Sequence, residues 1–301
     1  MGSTLTTIGL PVALGIIMFG LGLSLTVGDF ARVAKQPKAV IVALLCQLIV
    51  LPALCFGLVV AFQLPPILAV GMMMLAASPG GTTANLYSHL FRGDIALNIT
   101  LTAVNSVVAV VTLPLITNLA IAYFDPFDGQ LGMQWAKTVE VFAIVLVPVI
   151  LGMIVRRIWP RFADAMDKPV RIVSVIVLIV VIVGAVASNW ALLIDNVAQL
   201  AAITILFCLL SLAVGYLVPR WLRIGKRQAV ASSFEIGIHN ATLAIVIAQT
   251  VLGSMELSLP AAVYGVLMFF IAFGFGFLIR ERRGADADAG SRAETTAATG
   301  S

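Results

Sequence analysis

Ser78-Pro79-Gly80-Gly81-Thr82-Thr83-Ala84-Asn85 interrupts an apolar run over residues 66–91, and Glu235-Ile236-Gly237-Ile238-His239-Asn240 interrupts a second run over 228–251. In hydrocarbon an unpaired amide or carbonyl costs several kcal/mol, so a broken membrane helix persists only where it is buried or lines a watery cavity. Gly80, Gly81 and Gly237 permit backbone angles that a helix cannot hold, and Pro79 removes a donor. Such breaks free carbonyls at the end of one half-helix, which suit a bare cation, and amides at the start of the next, which attract an anion. The alternative is a simple kink, since Gly and Pro are common in membrane helices. Two breaks in opposite halves of a chain point to a transporter's binding site.

The composition outside these stretches agrees with life in lipid. Of 301 residues, 61% are hydrophobic and 11% charged, with a mean hydropathy of +1.09. Soluble domains carry about a quarter charged residues. We read nine apolar spans of membrane length: 7–27, 38–62, 66–91, 94–122, 136–156, 171–188, 197–218, 228–251 and 258–280. The expected fold is therefore all-α and polytopic, with a single transmembrane domain over 1–283. Residues 284–301 are rich in Ala, Gly, Asp and Thr and are read as a disordered cytoplasmic tail. All of the 18 Lys and Arg residues except Lys137 fall on one set of alternating loops or on the tail. By the positive-inside rule that side is cytoplasmic, with the N-terminus out and the C-terminus in. The expected location is a bacterial inner (cytoplasmic) membrane.

The basic pI of about 9.2 thus reflects topology, and no nucleic-acid partner is expected. Cys46, Cys55 and Cys208 lie within apolar runs and are read as core packing. No Lys or Arg precedes residue 29, so no secretory signal is expected, and the myristoylation-like start Met1-Gly2-Ser3 is read as coincidence. Phosphate loops, dinucleotide fingerprints and clustered metal ligands are absent from the sequence, and no enzyme activity is expected.

The third span runs inward and the eighth outward, so the two breaks are crossed in opposite directions, as an inverted repeat of spans 2–4 and 7–9 requires. Glu235 lies about 10 Å into its span at 1.5 Å per residue. A carboxylate at that depth costs on the order of 2.5–3.5 kcal/mol, a cost tolerated chiefly where the group faces a cavity and holds a cation or proton. The plainer alternative is a buried acid hydrogen-bonded to a neighbouring helix. Gln47, Asn85, Asn98 and Thr102 add neutral oxygens of the kind hard cations take. His239 follows Glu235 by four residues and reads either as a proton carrier or as a neutral hydrogen-bonding residue. Glu140 lies at a helix end within reach of Lys137 and reads as a solvated charge.

Met18-Phe19-Gly20-Leu21-Gly22-Leu23-Ser24-Leu25, Gln47 with Pro52, the first break, Arg92-Gly93 and the second break together resemble the bile acid:sodium symporter family. The resemblance extends over residues 7–280. It implies nine helices rather than the ten of many bacterial members. It also implies a core domain (38–122 and 197–280) in which two discontinuous helices cross, and a panel domain (7–27, 136–156 and 171–188). One sodium site would use Asn85, Asn98, Thr102 and Glu235. A second would use Gln47, Glu235, the carbonyls of Ile236 and Ile238, and the residue at His239. The family commonly has glutamine at that last position, and an imidazole has no oxygen to offer. Where the family often carries a serine, this chain has Ala84. Substrate would meet Thr82 and Asn240 at the two half-helix starts.

The expected function is sodium-coupled import of an organic anion by alternating access. The anion would be bile-acid-like or a smaller carboxylate such as pantoate or pyruvate, which bacterial and plastid members resemble carriers of. The partners are that anion and the bilayer, and no obligatory protein partner is evident. Two alternatives stay open: proton coupling through Glu235 and His239, and a membrane sensor that binds its ligand without moving it.

Overall fold

A computed structural model describes residues 10–81, 83–126 and 135–280, and these form an all-helical bundle. Residues 1–9, Thr82, which is expected to meet substrate, and 284–301, expected to form a tail, lie outside the described residues.

Helix α1 (Leu10–Ser24) turns by 63° into a short α2 (Val27–Ala31) and a 3-10 turn (Arg32–Ala34). The turn has a local cause. Asp29 accepts hydrogen bonds from the Thr26 amide and hydroxyl, both at 2.7 Å, and pairs with Arg32 at 2.7 Å. A carboxylate three residues after Thr reaching back to the backbone starts a new helix and ends the old one. Next come α3 (Pro37–Leu45), a π-helical turn (Cys46–Val50) and α4 (Leu51–Ala61). Pro52 explains the wide turn, because its ring has no N–H and would collide with the carbonyl four residues before it.

The first broken segment is α5 (Pro66–Ala77) and α6 (Thr83–Leu90), followed by α7 (Ile95–Phe124). Helices α8 (Trp135–Ile158), α9 (Pro160–Ser188) and α10 (Trp190–Trp221) are continuous. The second broken segment is α11 (Lys226–Gly237) and α12 (Ala241–Thr250). A 3-10 turn (Glu256–Ser258) leads into α13 (Leu259–Ile279).

Among the described residues four segments are long and apolar enough to cross a membrane: Pro37–Ala61, Ile95–Phe124, Trp190–Trp221 and Glu256–Ile279. A fifth is added if the bent α1–α2 pair counts as one span. The half-helices α5 and α11, at 12 residues each, are about 18 Å long, so neither crosses about 30 Å of hydrocarbon alone. Helices α9 and α10 extend beyond the apolar windows 171–188 and 197–218. Hydropathy marks the lipid-embedded stretch, whereas a helix continues into water while its backbone bonds are made.

Helix α1 packs along α8 and α9, while α5, α7, α10, α11 and α13 pack on one another. The α1–α8 approach is close. A Cβ on Gly22 would run into the carbonyl of Val149 and come 3.0 Å from the Cα of Gly152, and a Cβ on Gly152 would strike the carbonyl of Phe19. Small residues at such a crossing let backbones touch, which is how helices associate in a solvent as apolar as themselves. At one end of the bundle, basic loops are tied together. The Asp94 amide donates to the Arg227 carbonyl at 2.9 Å, and Gln36 Nε2 donates to Asp94 Oδ2 at 3.2 Å. At the other end of α7, Phe56, Tyr123 and Phe124 make an aromatic cluster with centroids 4.9–5.8 Å apart.

Candidate functional site

The two breaks meet each other. Gly80 and His239 form an isolated antiparallel β-bridge, with the Gly81 amide donating to the Ile238 carbonyl at 2.7 Å and the Asn240 amide donating to the Pro79 carbonyl at 2.9 Å. Backbone groups that neither broken helix can satisfy are thus satisfied by the other break, which answers the cost of opening a helix in lipid. Kinks alone would leave two separate bends, so the pairing sets the simple-kink alternative aside.

Glu235 sits at this crossing with no solvent exposure. A Cβ on Gly80 would overlap its carboxyl group and lie 2.7 Å from its backbone oxygen, so glycine is required for the second chain to pass. Thr102 Oγ1 lies 2.6 Å from Glu235 Oε2 and 3.0 Å from the Asn98 carbonyl, so its single proton serves one acceptor or the other. Asn105 Nδ2 donates to Glu235 Oε1 at 3.2 Å. Asn98, on the same helix, donates to Ser88 Oγ at 2.8 Å and to the Ala231 carbonyl at 2.9 Å, anchoring α7 to α6 and α11. The side-chain oxygens of Asn85, Asn98 and Asn105 are all buried without a partner among the described residues. A carboxylate and buried amide oxygens are donors suited to a hard cation, and their unmet acceptor capacity is what such an ion satisfies. Among the described residues no group of three His, Cys, Asp or Glu side chains gathers as a transition-metal site would need.

A second cluster gathers around the Ser78 carbonyl. Gln47, held in the π-helical turn of the second span, donates through Nε2 to the Ser78 carbonyl at 3.1 Å. His239 Nδ1 is 3.3 Å from the same carbonyl. Its ring stacks on Phe207 at 5.5 Å and meets Tyr264 edge-on at 5.4 Å. The Ile238 carbonyl is taken by Gly81, and the neighbouring Gly237 carbonyl accepts from Tyr264 Oη at 2.9 Å. Ile236, whose carbonyl the resemblance assigns to the second site, is fully buried in the hydrophobic core.

Asn240 caps α12: its Oδ1 accepts from the Leu243 amide at 3.0 Å, so its side-chain amide N–H groups are what it can offer an anion. The Glu140 and Lys137 side chains lie outside the described residues. The residue missed from sequence is Asn105. It stands three after Thr102 and seven after Asn98, so all three share one face of α7, a periodicity that was there to be read.

The model of the Sodium Bile acid symporter family matches residues 11–196. The chain belongs to this family. An uncharacterized sodium-dependent transporter of Bacillus subtilis, YocS, is 28% identical over 258 residues, covering 85% of this chain and 78% of that protein. The human ileal sodium/bile acid cotransporter is 25% identical over 279 residues, covering 91% of this chain and 79% of its own length. The probable chloroplastic sodium/metabolite cotransporter BASS2 of Oryza sativa is 26% identical over 257 residues. That alignment covers 85% of this chain but 60% of the rice protein's length. The symporter family's match ends before Glu235, whereas the alignment to the human protein is long enough to include both breaks. The apolar helices and this membership make the chain an integral membrane protein.

Proposed function

We propose that this chain is a secondary active transporter that couples sodium to the import of an organic anion. The observation that carries the proposal is the crossing of two broken helices through the Gly80–His239 bridge, with buried Glu235 at the crossing. Membership of a symporter family, together with relatives named for sodium-dependent transport, supports the coupling ion and points to transport rather than catalysis.

Sodium is read here as co-substrate. It is met by Glu235, Asn85, Asn98 and Thr102, and the geometry adds Asn105. The cation neutralises the carboxylate and draws α7 onto the crossing. The half-helix starts at Thr82 and Asn240 then present their positive ends to the substrate's carboxylate. An apolar substrate body lies in the cleft between a core (α3–α7 and α10–α13) and a panel (α1, α8 and α9), and rocking of one on the other opens the cleft to each side in turn. The packing of α1 with α8 and α9 supports this grouping. Nine crossings, with N-terminus out and C-terminus in, fit the basic loops tied together at one end of the bundle.

Proteoliposomes carrying an inward sodium gradient test the reading, with labelled taurocholate, pantoate and pyruvate as probes. Uptake of one of them in sodium but not in potassium is expected, and Glu235→Ala abolishes it while the protein still inserts. Uptake that ignores sodium and follows a pH gradient would instead assign Glu235 to a proton.

A further inference from the structure

Resting on that reading, we infer that this chain binds a single sodium ion per cycle, at Glu235, and that His239 closes the second cation position beside Gln47. The surroundings of Glu235 and of Gln47 differ in what they offer. Around α7, the Glu235 carboxylate is held by Thr102 and Asn105, and the amide oxygens of Asn85, Asn98 and Asn105 are buried without partners. Beside Gln47, three of the backbone oxygens already accept hydrogen bonds. The Ser78 carbonyl faces both Gln47 Nε2 and His239 Nδ1, the Ile238 carbonyl accepts from the Gly81 amide, and the Gly237 carbonyl accepts from Tyr264. Gln47 Oε1 is buried there without a partner.

His239 Nε2, a nitrogen, is likewise buried without a partner. With Nδ1–H donating to the Ser78 carbonyl, Nε2 carries the lone pair. Imidazole nitrogen suits zinc, copper, iron or nickel, whereas hard cations without d-electrons take oxygen. The ring cannot swing aside to expose more oxygen, because Phe207 stacks on one face at an interplanar angle of 16° and Tyr264 abuts it at 66°. His239 is itself 1% exposed, so no bulk water stands in for the missing ligands. Besides Glu235, already engaged at the first site, and the Ile236 carbonyl, the position offers one unpartnered amide oxygen and one fixed nitrogen, an oxygen set too poor for sodium. A glutamine in the same place would return an amide oxygen beside Gln47 Oε1 and Glu235, completing an oxygen set.

Equilibrium binding of radioactive sodium to the purified full-length protein, with potassium as the balancing cation, counts the ions directly. Wild type is expected to saturate at one sodium per chain without cooperativity. His239→Gln is expected to saturate at two, with a steeper isotherm. Wild-type saturation at two ions overturns the inference. One ion in both proteins overturns the role given to His239. Glu235→Ala separates this inference from the reading beneath it, since retention of wild-type sodium binding in that variant would refute Glu235 as a ligand whatever the count. Should His239→Gln fail to fold, the wild-type count alone still decides the stoichiometry.

Discussion

Gly80→Ala is the substitution that most sharply probes the crossing. Its added methyl would overlap the Glu235 carboxyl group and approach the Glu235 backbone oxygen to 2.7 Å. Neither obstacle yields cheaply. The carboxyl is held by Thr102 at 2.6 Å and Asn105 at 3.2 Å, and the backbone oxygen moves only if the paired breaks move. Overpacking of this kind costs about 1–3 kcal/mol. A hydrogen bond lost from a charged group adds about 1.5–3 kcal/mol. Gly57→Ala is the control: among the described residues no atom outside its own helix lies within 4 Å of the position its Cβ would take. Alanine there is expected to be neutral or to stabilise α4 by roughly 0.5–1 kcal/mol. The assay is thermal unfolding in detergent, in sodium and in potassium. A cation bound at about 100 times its Kd raises stability by about 2.7 kcal/mol, so wild type and Gly57→Ala should both show a sodium-specific rise in Tm. Gly80→Ala should melt lower and show none. If it keeps the wild-type Tm and the full sodium shift, Glu235 is not confined as described and the crossing is not the cation site.

Asn105→Leu removes a donor to the carboxylate and an unpartnered oxygen while keeping the volume, so sodium affinity should fall by about tenfold or more, the equivalent of one charged hydrogen bond; an unchanged Kd in sodium-binding isotherms would remove Asn105 from the site. Asn240→Ala should cost about 1 kcal/mol through loss of the α12 cap, whereas Asn240→Asp keeps the cap but sets a negative charge against an anionic substrate. Tm near wild type with uptake abolished in Asn240→Asp is the expected split, and normal uptake would rule out Asn240 as a substrate contact. Gly22→Leu should break the α1–α8 contact and lower Tm without altering the number of sodium ions bound. A lost sodium site in that variant would contradict the separation of panel from core.

Much of this architecture was legible because lipid makes polar residues conspicuous. Ser78 to Asn85 and Glu235 to Asn240 stand out against apolar neighbours, and both are helix breaks that meet at one place. The apolar windows found the helices but not their full extent, since Pro160 to Val170 continue α9 beyond the hydrophobic stretch. Sequence spacing could not show that the breaks pair as strands, because the Gly81–Ile238 and Pro79–Asn240 hydrogen bonds join residues more than a hundred positions apart. In the sequence Asn105 looks like one more polar residue in a membrane helix. Only its contact with Glu235 distinguishes it from Ser106, whose hydroxyl bonds back to the Thr102 carbonyl. The bend after Ser24 was hidden for the opposite reason: Thr26 and Asp29 look ordinary until their side chains are seen closing on one another.

Coupling itself is tested most directly by following labelled sodium and a labelled carboxylate into the same proteoliposomes, with the wild-type protein and with Glu235→Ala. The account predicts that adding the carboxylate outside accelerates sodium entry and that sodium accelerates carboxylate entry, with both effects lost in Glu235→Ala. Carboxylate entry at the same rate in potassium as in sodium, or coupled entry that survives Glu235→Ala, would contradict it.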